Sequence, residues 1–307
     1  DPLAVAGVGG TVLVLWAVVG GRLLRRRVRA SHLRRSAAPG LHGDRARLFR
    51  MLEDRGYESL WVAEHTHIPL SRRTPYPAGG ELPDMYWRTM DPFVALTAAA
   101  VASERIKLGT GICLVNQHHP INVAKQTASL DLLSGGRFLF GVGVGWNEDE
   151  MERHGIDPGK RRTIAREHIL ATKSLWTEEA AEFHGEYVEF SPSAMFPKPV
   201  TEPHPPVIMG GAGGPVTFRH VVEYCDGWMP IHGRGNPLEK LPLLHEMCAE
   251  AGRDPSTIEI SIYGCPAKAE VVERYREAGV DRVVFWLPAN EPDEVLAAAD
   301  RGAALID

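Results

Sequence analysis

The chain has 307 residues, enough for one large α/β domain with its own core, and its 44% apolar and 24% charged residues are ordinary globular values. The formal charge of -5 hides an asymmetry: residues 1–50 carry ten arginines and two acids, and the remainder is about 13 charges negative. A net acidic body without a basic, aromatic-interleaved stripe excludes a nucleic-acid backbone as partner.

Along the chain, Leu3–Gly21 is nineteen residues without a charge, followed by Arg22, Arg25, Arg26, Arg27 and Arg29. Its length just reaches that of a membrane span, and the arginines would face the cytoplasm. Three readings stay open: an anchor, a poorly packing N-terminus, or a buried strand at Val12–Val19. Segment 1–43 is therefore set apart from a domain at 44–307, and a cytoplasmic protein is expected.

From there the pattern is regular. Arg45–Arg55 reads as a helix with Leu48, Met51 and Leu52 on one side and Gly56 as its stop. Ser59–Ala63 is a short apolar strand, and 66–90 a Pro-rich loop. Pro92–Ser103 is an Ala-rich helix, Ile106–Ile112 a strand, Val123–Leu133 a helix, Arg137–Val142 a strand and Arg161–Leu175 a helix. A small hairpin is expected around 182–200. Strands follow at Pro206–Met209, Gly227–Met229, Ile258–Tyr263 and Arg282–Trp286. They are interleaved with helices at Val216–Tyr224, Leu238–Ala251, Glu270–Ala278 and Pro292–Arg301. Seven strands with a helix after each predict parallel pairing by right-handed crossovers. A closed (β/α)8 barrel then needs one more strand upstream. No GxGxxG opens an early helix, which weakens an open dinucleotide-binding sheet.

In such a barrel the residues just past the strand ends face the active site. Glu64 and His65 close the first of these strands, and a histidine there can donate a hydrogen bond or carry a proton near neutral pH. His67 follows, but the pair lacks a third ligand for a metal. Gly109-Thr110-Gly111 and Gly143-Val144-Gly145-Trp146 end the next two strands, and small residues there let a flat ring approach the backbone. His118 and His119 lead into a helix started by Pro120. Gly210, Gly211 and Gly213 before Pro215 form a glycine loop at a helix start, a ready anion site, with Arg234 as a candidate helper. Cys113, Cys225, Cys248 and Cys265 are widely spaced and read as free thiols. Neither a GxSxG elbow nor HExxH is present, so serine and zinc hydrolysis fit poorly. A flat, phosphate-bearing cofactor accounts for the glycines more economically.

Together these stretches resemble the luciferase-like superfamily, in particular its actinobacterial F420-dependent oxidoreductase branch. The resemblance covers about 45–307. It is carried by LWVAEH at 60–65, LGTG at 108–111, His119-Pro120 with Lys125-Gln126, DLLSGGRF at 131–138, GVGVGWN at 141–147, FPKP at 196–199, PVIMGG at 206–211 and DGWMP at 226–230. It implies a (β/α)8 barrel, usually dimeric or higher, that transfers a hydride between the deazaflavin F420 and a small organic substrate. FMN with O₂, supplied by a cofactor-reducing partner enzyme, is the alternative, and a non-catalytic cofactor-binding barrel a further one. By resemblance His65 is the active-site histidine, with Glu64 beside it in a usually aspartate position. Gly109, Thr110 and Gly111 then wall the ring on one side and Gly143, Val144, Gly145 and Trp146 on the next, and Gly210, Gly211 and Gly213 hold the phosphate. Trp146 stands where one sugar-phosphate dehydrogenase branch has a proton-donating Glu, which argues against that reaction. One departure concerns the first strand: relatives open on an aromatic-Gly-hydrophobic-hydrophobic-Pro strand, for which only Val12–Val19 can stand in.

Overall fold

A computed structural model describes residues 14–18, 25–29, 41–287 and 292–306. The chain opens with strands β1 (Val14–Val18) and β2 (Arg25–Arg29), then helix α1 (Leu41–Asp54). Next come β3 (Ser59–Val62), α2 (Pro92–Ala102), β4 (Lys107–Thr110), β5 (Cys113–Leu114), α3 (Pro120–Ser134) and β6 (Phe138–Gly143). They are followed by α4 (Glu148–Arg153), α5 (Arg161–Thr177), a separate antiparallel hairpin β7 (Ala181–His184) and β8 (Glu189–Ser193), β9 (Val207–Gly210) and α6 (Pro215–Tyr224). The chain then runs through β10 (Gly227–Met229), α7 (Leu241–Glu250), β11 (Glu259–Cys265), α8 (Ala269–Glu277), β12 (Arg282–Phe285) and α9 (Pro292–Ala303).

The sheet runs in the order β12-β11-β10-β9-β6-β4-β3-β1-β2. Pairing is parallel throughout from β3 to β12. β1 fills the remaining position, with Leu15, Trp16, Ala17 and Val18 opposite Val62, Trp61, Leu60 and Ser59, and Val18 opposite Val284 of β12. The barrel is thus closed by a strand antiparallel to both neighbours, where the βα repeat would place a parallel one. Its outer edge also carries β2, whose Arg26 lies opposite Ala17. Within 3–21 the structure describes Val14–Val18 as strand, which takes up the strand reading. The rest of that segment, with the anchor reading, falls outside the described residues. Among the described residues no helix is long and apolar enough to cross a membrane.

Local chemistry accounts for the helix ends. Asp91 caps α2 by accepting from the Val94 N–H, and Pro92 occupies the first turn, where its missing N–H costs nothing. Gly135, at φ 65°, ends α3 in the left-handed conformation, and its N–H reaches the Asp131 and Leu132 carbonyls. The conspicuous DLLSGGRF stretch turns out to be scaffold. Buried Asp131 accepts from the Val200 and Thr201 N–H groups at 2.9 Å each. Arg137 ties the end of α2 to this turn through the carbonyls of Ala100, Ser103 and Ile106.

Two apolar layers result. One lies between sheet and helices and includes Phe49, Leu96, Val123, Phe140, Trp176, Phe218 and Trp228. The other fills the barrel with Trp61, Leu139, Ile208, Met229, Tyr263 and Val284. Beneath Trp61, Arg282 is 1% exposed, its guanidinium 5.8 Å from the indole, bonded to Ser261 Oγ at 3.1 Å and paired with Glu58 and Glu259. Burial with little water to solvate it pushes this guanidinium well below its ordinary pKa. All four cysteines are buried and free.

Candidate active site

A cavity of about 560 Å³ opens at the C-terminal ends of the strands, above this packed interior. Of the residues expected there, Glu64, His65, Gly111, Gly143, Val144, Gly145, Trp146, Gly210 and Gly211 line it. Gly109 and Thr110 do not: Gly109 faces the barrel interior below. A Cβ on Gly109 would sit 2.4 Å from the Trp61 ring, and one on Gly141 2.0 Å from the Thr110 carbonyl oxygen. Thr110 is itself buried and donates to the Gly141 carbonyl at 2.6 Å. Gly213 lies beneath the cavity wall, against Trp228 and Phe218. The glycines of Gly143 and Gly210 clear space for one side chain, Ile112, whose methyl groups would be 2.2 and 2.7 Å from the added carbons. Ile112 therefore supplies the floor that bare backbone was expected to supply. Tyr263 braces it by donating from its hydroxyl to the Gly111 carbonyl at 2.7 Å.

His65 stands at one end of the cavity. Its Nδ1–H donates to Glu150 Oε2 at 2.6 Å, and the carboxylate is fully buried. Glu150 Oε1 also accepts from the Thr66 N–H at 3.1 Å. An ionised carboxylate can only accept, so this contact fixes the tautomer and leaves Nε2 as the ring nitrogen for a ligand. Tyr86 and Trp146 pack against the imidazole at centroid distances of 5.2 and 5.7 Å, and Tyr76 completes an aromatic wall 5.9 Å from Trp146. Arg72 covers the other side of Trp146 at 5.9 Å. The loop carrying Tyr76 is fastened to α4 by Arg73 and Thr74 on buried Asp149.

Glu64, expected beside His65 as a second catalytic group, is committed elsewhere. Its Oε2 accepts from the Leu114 N–H and its Oε1 pairs with His118 Nε2, each at 2.6 Å. The pair pins the end of β3 to the β5 segment. Burial lowers the His118 pKa, but the Glu64 hydrogen bond and charge, with Asp91 beyond, outweigh it and raise it above 6.5. Cys113 joins the same cluster, with donor atoms of the three residues within 4.8 Å of one another. Burial and then Glu64 hold its thiol well above its ordinary pKa, so it remains protonated beside a carboxylate already bonded on both oxygens. The cluster is a structural one.

The opposite end of the cavity is cationic. Gly210, Gly211 and Ala212 lead to the first turn of α6, and Thr217, His220, Arg162 and Arg234 complete the wall. Among the described residues no carboxylate pairs with Arg162. A helix N-terminus and a guanidinium without a carboxylate partner among the described residues suit a phosphate. Glu150, Ile112 and Arg162 were not among the residues expected from sequence. Glu150 lies on a six-residue acidic helix with one apolar position, Met151, and nothing local links it to a histidine 85 residues away.

The luciferase-like monooxygenase family model matches residues 32–304. The chain belongs to this family. It is 42% identical over 260 residues to an uncharacterized protein of Mycobacterium tuberculosis, covering 83% of this chain and 91% of that one. It is 27% identical over 253 residues to an F420-dependent glucose-6-phosphate dehydrogenase of Kineococcus radiotolerans, covering 78% of this chain and 66% of that one. The monooxygenase RslO1 of Streptomyces bottropensis superposes with a TM-score of 0.72 at 21% identity, covering 88% of this chain and 94% of that one. This family member's relatives thus include both dehydrogenases and monooxygenases, and a flavin-type cofactor suits the family.

Proposed function

We propose that this family member is an F420-dependent oxidoreductase that moves a hydride between the deazaflavin and a small, uncharged organic substrate. The observation that carries this reading is one cavity with two unlike ends. At one, His65 is aligned by a buried carboxylate under an aromatic wall. At the other, Arg162 and the α6 N-terminus offer a phosphate site. When bound, the cofactor ring accepts or gives the hydride. The protein's part is to orient it on the Ile112 floor, exclude water with Tyr76, Tyr86 and Trp146, and hold a proton at His65 Nε2 near the substrate oxygen. Glu64, already bonded on both oxygens, takes a positioning role. The long identity with the Kineococcus dehydrogenase supports F420 over FMN, and Trp146 on the substrate wall speaks against a sugar phosphate. The protein is proposed to act as a homodimer.

Fluorescence titration of the purified protein with F420 and, separately, with FMN tests this. Binding of F420 is expected, weakened roughly tenfold to a hundredfold in R162A by loss of a charge-assisted phosphate contact. Tight FMN binding with none of F420 would overturn the proposal in favour of a flavin monooxygenase fed by a reducing partner.

A further inference from the structure

Hydrogen bonds continue from the site histidine to the surface. Beyond Glu150, the Thr66 hydroxyl lies 3.4 Å from Glu150 Oε1, 2.7 Å from His154 Nε2 and 3.0 Å from His67 Nδ1. The two outer imidazoles face each other at 5.5 Å, and Thr66, His67 and His154 are exposed. A deep carboxylate, a hydroxyl and exposed imidazoles thus form a line of hydrogen bonds whose longest link is the 3.4 Å one between Thr66 and Glu150. Orientation of His65 alone requires only Glu150 and leaves the rest of this line without a purpose.

We propose that Glu150, Thr66 and His154 relay protons between His65 and bulk water, so that the site can exchange its proton while substrate and cofactor fill the cavity mouth. This rests on the oxidoreductase reading for its use, though not for its existence. In the oxidative direction a carbinol C–H bond breaks and its electron pair leaves with the hydride to the cofactor. The O–H bond breaks, its proton passes to His65 Nε2, and C–O becomes C=O. His65 returns to neutral by giving its Nδ1 proton to Glu150 Oε2. The carboxyl group then turns about its Cγ–Cδ bond so that the protonated oxygen faces Thr66, and gives this proton to Thr66 Oγ1 while the threonine gives its own to His154 Nε2, which discharges to water. Once product has left, water takes the Nε2 proton of His65 and the line returns one to Nδ1, restoring the starting tautomer. Reduction runs the same path backwards, and no other reactant is consumed.

Electrostatics around the line suits the traffic. Burial first, then the charge of His67, lowers the His154 pKa, against the pull of Glu150, so a proton that arrives there is readily released. His118 and Glu64 from the neighbouring strand end, and Arg73 with Asp149 and Glu152 on the loop and α4, are the other charged groups at hand.

The test needs no turnover. In cofactor-free, ¹⁵N-histidine-labelled protein, exchange of the His65 Nδ1 proton with water is read by NMR for wild type, Thr66→Val, Thr66→Ser and His154→Gln. The valine variant keeps the backbone N–H on Glu150 and removes only the hydroxyl. It is expected to slow exchange by about tenfold or more, with serine restoring it and His154→Gln slowing it partly. In turnover, Thr66→Val should lower kcat, leave KM in place and become rescuable by imidazole buffer. Exchange in Thr66→Val equal to wild type would overturn the relay even if the enzyme oxidises substrates. Slowed exchange in a protein that binds no F420 would keep the relay and remove the F420 reading.

Discussion

His65 and Glu150 meet across 85 residues because a short helix after β6 delivers the carboxylate to the end of β3. In the proposed reaction the carboxylate holds the imidazole by its Nδ1–H and would face the positive charge formed on proton uptake at Nε2. Glu150→Gln keeps a hydrogen-bond acceptor but removes the charge. It should lower kcat by about a hundredfold or more, with F420 affinity unchanged, in steady-state and fluorescence measurements. His118 gives a pH signature of stability. Folding raises its pKa above 6.5, so its contribution is full below 6.5 and is lost as pH climbs through the raised value. In urea denaturation at a series of pH values, His118→Gln should be most destabilised relative to wild type below pH 6.5, the gap shrinking above it. At this scale His65 was legible from its place at a strand end. Glu64 was legible as a neighbour of the site, but its partners, the Leu114 N–H and His118, lie about 50 residues away and carry no local signal.

At the scale of elements, the seven parallel strands and the helices between them were legible from short β-branched runs, Ala-rich or amphipathic stretches and glycine stops. The short helix at 148–153 was not, since one apolar residue in an acidic run carries no periodicity. The glycines were seen, but their purpose was not. Gly109 and Gly141 accommodate Trp61, and Gly143 and Gly210 accommodate Ile112, partners that only the strand register brings alongside: Gly109 lies opposite Trp61 in the pairing of β3 with β4. Gly109→Ala should therefore act on folding. A loss of about 1–3 kcal/mol in chemical denaturation is expected from overpacking against the indole. A Gly109 variant as stable as wild type would place Trp61 elsewhere.

For the whole molecule, closure depends on the strand at Val14–Val18, which shields the edges of both β3 and β12. Sequence left this position open because the segment follows none of the βα spacing that made the other strands evident. Ala17 lies opposite Leu60 on one side and Arg26 on the other, so a proline there removes a ladder donor and cannot be accommodated at an edge. Ala17→Pro should lower the melting temperature and promote association through the freed edges of β3 and β12, seen by light scattering.

The interior below Ile112 has a consequence for kinetics. Trp61 and Arg282, both buried and 5.8 Å apart, fill the barrel below the cavity, so the proposed cofactor and substrate would share one cavity at the C-terminal ends of the strands. Excess of one ligand should therefore slow the exchange of the other, as read by stopped-flow fluorescence.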